Sequence, residues 1–249
     1  MTLERAIDVF GNGFSYTRSF THPYEYVRVG GLRVMRDTPR RSGDYRTQEI
    51  IPVGLSPVEA DKAIRAYDPP RFALVAIDSM DSPLEEIKDE YKDLGYRLLR
   101  REPMMVRDLR GVQAKPGLFP VVRVQTAEQA IAISKASGGR QILERDIFGP
   151  DPTLRLYACF DGENPAGWVR SIRAEERASW VSNMYVVEDY RRRGLGSALM
   201  TAMMEDDLRH GLEWSVLLAS NAGSQLYATL GYEQIGVDQL FVPDKNRWP

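Results

Sequence analysis

The spacing of apolar residues changes period several times along the chain, and each change marks an element. Residues 121–125 alternate as a short strand, and residues 126–137 continue with helical spacing. Thr126 and Gln129 have the spacing of a helix capping box, and Gly138-Gly139 stops that helix. Residues 154–160, 166–174 and 178–187 read as three strands, the first two joined by the turn sequence DGENP. Leu195, Ala198, Leu199, Ala202 and Met203 fall on one face of a helix that Gly211 ends. Residues 214–220 form a buried strand. Residues 221–232 form a short helix with Asn221 as N-cap and Gly231 as its close, and residues 233–243 supply a final pair of strands.

The first half echoes this order. Residues 2–10 read as a helix, 24–37 as a hairpin turning at Gly30-Gly31, 48–54 as a strand and 56–67 as a helix. Residues 71–79 form a strand and 82–96 a helix ending at Gly95. The hexapeptides Tyr91–Tyr96 and Tyr227–Tyr232 share the pattern YxxLGY. Each is followed at the same distance by an apolar run, Met104-Met105-Val106 and Leu240-Phe241-Val242. Matched order and matched motif predict two related halves of mixed α/β (α+β) class. The segment GVQAKPGLFP (111–120) reads as a linker, which divides the chain into residues 1–112 and 113–249.

Composition narrows the function. Apolar residues make up 43%, enough for a sizeable core, and a net charge of −2 gives no global attraction to nucleic acid or an anionic membrane. No apolar run is long enough to cross a bilayer, and the opening MTLERAIDVF has no signal-peptide core, so a cytoplasmic location is expected. Cys159 is the single cysteine and sits in a strand-like run, which predicts a buried structural thiol. His22 and His210 are the only histidines, so a catalytic Cys–His pair is not expected, nor is a metal site.

One segment carries chemistry. The strand ending near Val187 runs into Arg191-Arg192-Arg193-Gly194-Leu195-Gly196-Ser197 and then a helix. A glycine-containing turn that opens a helix leaves backbone N–H groups unpaired at the positive end of the helix dipole, an arrangement suited to a pyrophosphate. The arginines add positive charge, and Ser197 offers a hydroxyl. Neither a Walker loop nor a dinucleotide fingerprint fits these residues.

Residues 184–197, MYVVEDYRRRGLGS, resemble the cofactor motif [QR]xxGx[GA] of the GNAT superfamily of N-acetyltransferases, with Arg191, Gly194 and Gly196 at its fixed positions. The later stretch LLASNAGSQLYATLGY is similar to that family's second signature, and the resemblance covers about residues 119–249. It implies a GNAT-like fold with a central mixed, mostly antiparallel sheet flanked by helices. It also implies acetyl-CoA as co-substrate and transfer of the acetyl group to a primary amine of a small molecule or peptide. Carried over by position, Met184, Tyr185 and Val186 would hold the pantetheine arm. Arg191, Arg192, Arg193, Gly194, Leu195, Gly196 and Ser197 would hold the pyrophosphate. Asn221 and Ser224 would lie on the cofactor, and Tyr227 would protonate the departing thiolate while touching the cofactor.

No carboxylate lies on the strand Trp180–Met184 to serve as base; Ser182 and Asn183 could instead order a water. Glu175-Glu176 and the run Glu205-Asp206-Asp207 read as solvated charges. Phe14, Tyr16, Phe20, His22, Tyr24 and Tyr26 read either as packing or as the lining of an acceptor pocket. The first half lacks the cofactor loop: Leu55-Ser56-Pro57-Val58-Glu59 stands in its place, so one acetyl-CoA per chain is expected. A homodimer is compatible with the sequence. The competing reading is a non-catalytic module that binds acetyl-CoA as ligand or signal.

Overall fold

A computed structural model of the chain describes residues 1–244, and of Asn221 and Ala222 the backbone alone. In chain order its elements begin with α1 (Leu3–Arg18), β1 (Tyr24–Val29), β2 (Leu32–Asp37), β3 (Gln48–Ile51), α2 (Pro57–Tyr67), β4 (Phe72–Ser79), α3 (Leu84–Asp93) and β5 (Tyr96–Asp108). They continue with β6 (Val121–Arg123), α4 (Ala127–Ser137), α5 (Glu144–Phe148), β7 (Leu154–Asp161), β8 (Asn164–Glu175), β9 (Ala178–Val186), α6 (Leu195–Arg209), β10 (Trp214–Leu218), α7 (Asn221–Thr229) and β11 (Glu233–Pro243).

The chain forms two compact units and enters each more than once. Unit 1 comprises Met1–Met105, Leu218–Ser224 and the segment from Gln234; unit 2 comprises Val106–Leu217 and Gln225–Glu233. The linker-like residues 111–120 fall inside unit 2.

In unit 1 the strands run in the order β1-β2-β3-β4-β11-β5. Gly30 and Gly31 take φ of +53° and +84°, the two left-handed positions of a tight hairpin turn, and set Val29 opposite Leu32. β3 lies antiparallel to β2 and parallel to β4, and β11 lies antiparallel to β4. Val34, Ile50, Ile64, Leu74, Tyr91, Tyr96 and Phe241 close the core. α2 opens with Pro57 at its first turn and a complete capping box: Ser56 N–H and Oγ both donate to the Glu59 carboxylate, and Glu59 N–H donates to Ser56 Oγ. The aromatic stretch is engaged inside this unit. Tyr26 donates to Asp8 at 2.7 Å, Tyr24 donates to Thr47 O at 3.0 Å and to Glu49, and the Tyr16 and Phe20 rings pack edge-on.

In unit 2 the order is β10-β9-β8-β7-β6, antiparallel except for the parallel pair β9–β10. The units therefore repeat one plan: an antiparallel three-strand meander, a helix, a strand parallel to the third, and a second helix. The YxxLGY motifs occupy equivalent places, with Gly95 at φ +94° and Gly231 at φ +77°. In both, the two tyrosine rings pack with centroids 5.7 Å apart.

Some local readings need correction. Residues 233–243 form one continuous strand rather than a pair, because β11 finds an unbroken partner in β4. Ser220, not Asn221, caps α7: its Oγ and carbonyl both accept from Gly223 N–H. Gln129 caps the N–H of Gln125 at 3.0 Å, while Thr126 Oγ1 accepts from Gln129 N–H. The unassigned stretch after Gly139 contains α5, fixed by buried Asp146, whose Oδ1 accepts from Leu154 N–H at 3.1 Å.

Candidate functional site

β9 is paired with β8 along its length but not smoothly. Trp168 faces Tyr185 and Arg170 faces Ser182, so Asn183 and Met184 together oppose Val169 in a β-bulge. Asn183 takes φ +48° there. On its other edge, β9 pairs with β10 only from Ala178 to Trp180 among the described residues, so the stretch from Val181 to Val186 has no ladder on that side. Val187 N–H donates to Ala166 O at 3.0 Å, so alternation turns the backbone of Tyr185 toward β8 and that of Val186 outward to the open edge.

The loop that follows is pinned before it reaches the helix. Tyr190 donates to Asp161 Oδ2 at 2.8 Å and packs edge-on against Phe119. Arg191 folds back, with Nε donating to Val186 O at 3.0 Å and the guanidinium 5.6 Å from the centre of the Tyr185 ring. Arg192 and Arg193 are exposed. Arg192 at φ +59° and Gly194 at φ +80° swing the chain into α6. The first bond of α6 runs from Ala198 N–H to Gly194 O, and Gly194 supplies no side-chain cap. The N–H groups of Leu195, Gly196 and Ser197 therefore head the helix without an intrahelical partner.

Gly196 serves close packing. A Cβ there would lie 2.9 Å from Met184 Cε and 3.1 Å from Leu226 Cδ2, so α6 sits close on β9 because position 196 has no side chain. Leu195 is buried, and only its backbone belongs to the loop. Ser197 O accepts from Thr201 Oγ1 at 2.8 Å. Beyond Leu226, Tyr227 is 8% exposed, and its hydroxyl makes no hydrogen bond among the described residues. Burial raises its pKa, so the phenol stays protonated through neutral pH. Ser224 lies in the first turn of α7, its N–H bonded to Ser220 O at 2.9 Å. The contact expected of the Asn221 side chain lies outside the described residues.

Residues 152–234 match the family model described as "Acetyltransferase (GNAT) domain". This segment is a GNAT acetyltransferase domain. Among solved structures, the chain is similar to a GCN5-related N-acetyltransferase from Kribbella flavida (TM-score 0.68, 16% identity), over 98% of this chain and 96% of that one. It is also similar to a GCN5-related N-acetyltransferase from Sphaerobacter thermophilus (TM-score 0.53, 15% identity, 85% of this chain and 76% of that one). A third similar structure is a tandem GNAT protein from the clavulanic acid biosynthesis pathway (TM-score 0.50, 14% identity), over 99% of this chain and 96% of that one. At these identities the likeness is one of fold. No curated protein matches the chain.

The GNAT domain holds α6 in place with a buried ion pair that corrects one expectation. Asp207 and Arg155, fully buried, meet at 2.6 Å, and Ser171 Oγ donates to the same carboxylate at 2.6 Å. Asp206 accepts from Tyr157 at 2.6 Å. Glu205 and Asp206 both also pair with the exposed Arg209, so of the acidic run only Asp207 is fully withdrawn from solvent. Burial pushes the Asp207 carboxyl up against the opposing pull of Arg155 and Ser171. Cys159 is buried as expected, its thiol pushed up to about 11.

The groups near the bulge are also engaged. Ser182 Oγ accepts from Arg170 Nε at 3.0 Å, and Asn183 donates to Gln141 in the loop between α4 and α5. Neither Arg170 nor Gln141 was marked by sequence reasoning. The available signal was an arginine interrupting the apolar run Trp168-Val169-Arg170-Ser171-Ile172.

Proposed function

We propose that the chain is an acetyl-CoA-dependent N-acetyltransferase that carries one acetyl-CoA and acts on a primary amine of a small molecule or peptide. The observation that carries this reading is the juxtaposition at Gly196: an uncapped helix start packed against the unpaired edge of β9. The first offers N–H groups to a pyrophosphate, and the second offers the outward Val186 N–H to an amide-containing arm, the Val186 carbonyl being held by Arg191. Arg192, Arg193 and Ser197 would supplement the helix start, while Arg191 shapes the loop through Val186 and Tyr185. The thioester would supply an activated acetyl carbonyl. In the transfer, the amine nitrogen bonds to the carbonyl carbon and the carbon–sulfur bond breaks. Tyr227 is the candidate donor of the proton that turns the leaving thiolate into a thiol. The ammonium form of the amine gives up two protons in all, so one proton is released per turnover.

Unit 1 repeats the fold plan, but α2 begins on its own capping box. At the start of α2, Pro57 has no N–H and Glu59 N–H is taken by Ser56 Oγ, while the Glu59 carboxylate sits on Ser56 N–H, so a phosphate there would find fewer donors than at α6 and would meet a like charge. We therefore assign unit 1 as a copy without cofactor.

Calorimetric titration of the protein with acetyl-CoA tests the reading: one site per chain is expected, and absence of binding would overturn it. The reading of a binding module without turnover draws on the lack of a carboxylate on Trp180–Met184. Release of CoA thiol in the presence of an amine panel separates the two.

A further inference from the structure

Sheet register sorts the side chains of the GNAT domain into two faces. Arg155, Tyr157 and Ser171 reach the acids of α6, and Met184 and Val186 point at Gly196, so these residues share the α6 face. Arg170, one residue from Ser171, points the other way. It pairs with Leu156 on β7 and Ser182 on β9, and Trp168 and Tyr185 lie on the same face.

Arg170 has no counter-ion among the described residues. Its one described polar bond is Nε to the Ser182 hydroxyl, and it joins no ion pair among the described residues. The other buried arginine of this sheet, Arg155, has Asp207. Arg170 is half-buried, and burial alone pulls its guanidinium down to about 10, with no carboxylate to oppose that pull. A second donor on the same face is also unanswered: the Trp168 indole N–H is buried without an acceptor among the described residues. A positive charge held in a largely apolar wall at this cost calls for an anion that none of the described residues supplies.

The position is informative. Ser182 is the residue immediately before the bulge at Asn183 and Met184, and β8 is its neighbouring strand, about 4.8 Å away. The loop between α4 and α5 reaches the same point through Gln141 and Asn183. We infer that Arg170, with Ser182, receives a carboxylate of the acceptor, so that the acceptor is an amine with a carboxylate close to its nitrogen, as in a free α-amino acid. A guanidinium fork binds a carboxylate through two parallel bonds, which orients as well as attracts. With Nε committed to Ser182, the terminal nitrogens provide that fork. This inference rests on the acetyltransferase reading above, since it places the acceptor beside the strand assigned to acetyl-CoA.

The test measures CoA release with the free L-amino acids and, in parallel, their carboxamides. It uses wild-type protein, Arg170→Gln and Arg170→Lys, each also titrated with acetyl-CoA. The expected result is transfer to one or more free acids but not to the matching amides. Arg170→Gln should raise KM for the acid by ~30-fold or more, with kcat less affected and acetyl-CoA binding unchanged. Arg170→Lys keeps the charge and should recover only part of the loss. Equal use of acids and amides, or an unchanged KM in Arg170→Gln, would overturn the inference and leave the acetyltransferase reading standing. So would acetyl-CoA binding with no transfer to either panel. Failure of wild-type protein to bind acetyl-CoA would remove both.

Discussion

The rings of Tyr227 and Tyr232 lie with centroids 5.7 Å apart at 60°, yet only one of the two hydroxyls has a hydrogen-bond partner among the described residues. Tyr232 bonds to Ser215 Oγ at 2.6 Å, whereas Tyr227 has no described partner. Five residues apart, one tyrosine completes a core and the other keeps a protonated hydroxyl in reserve. Tyr227→Phe should retain the fold and acetyl-CoA affinity while turnover falls ~100-fold. Steady-state CoA release beside calorimetry checks this, and undiminished turnover would take Tyr227 out of the chemistry.

Gly194 permits a cleaner test of the loop than Gly196. A side chain at Gly196 collides with Met184 and Leu226, whereas a Cβ at Gly194 meets nothing within 4 Å. Gly194→Asp would give α6 the self-capped start that Ser56 and Glu59 give α2. The positive φ costs roughly 1 kcal/mol, and an N-cap carboxylate recovers about as much, so thermal stability should barely change. Acetyl-CoA affinity should fall at least ~10-fold, because the carboxylate takes the N–H groups and repels a phosphate. Wild-type affinity in a folded variant would disprove the assignment of this loop.

Asp207 and Arg155 form a pair in which neither charge reaches solvent. Asp207→Ala leaves Arg155 buried alone and should cost about 3–5 kcal/mol in urea unfolding. Replacing both, as Asp207→Leu with Arg155→Met, should recover much of that loss. A single-variant cost below about 1 kcal/mol would mean that water reaches the site.

Asp238 predicts a pH dependence in unit 1. Among the described residues both carboxylate oxygens lack hydrogen bonds, and burial lifts its pKa to about 7 despite Arg100 at 3.8 Å. The unfolded value is near 3.9. The native state thus holds a proton that the unfolded chain releases. The stability contributed by this site is complete below pH 4 and is lost as pH rises through 7. Asp238→Asn should therefore raise the melting temperature relative to wild type at pH 8, with the gain shrinking toward pH 4. A pH-independent difference would show that the carboxyl is not protonated in the native state.

Local signals explain what could be read ahead of the structure. The hairpin at Gly30-Gly31, the Pro57 start of α2, the strand–loop–helix around Arg191–Ser197 and the paired YxxLGY motifs rest on backbone rules that act within a few residues. Asp207 escaped because an acidic run looks solvated unless its partner is known, and Arg155 lies 52 residues away. The same holds for Arg170. Its meaning comes from strand register and from the counter-ion it lacks, neither of which shows in its neighbours along the chain. The bulge at Asn183 and Met184 leaves no distinct mark in the sequence, since residues 178–187 read as one uninterrupted strand.

Within unit 1, β11 is inserted between β4 and β5, and Leu240 lies opposite Val75. On a ribosome, β4 and β5 emerge with a vacant place between them that stays open for more than a hundred residues of further synthesis. The amino-terminal unit is therefore made first but completed last, with two bare strand edges in the interval. Its folding waits on synthesis of β11, and a nascent chain stalled in the middle of the GNAT domain would present those edges to chaperones or to other copies.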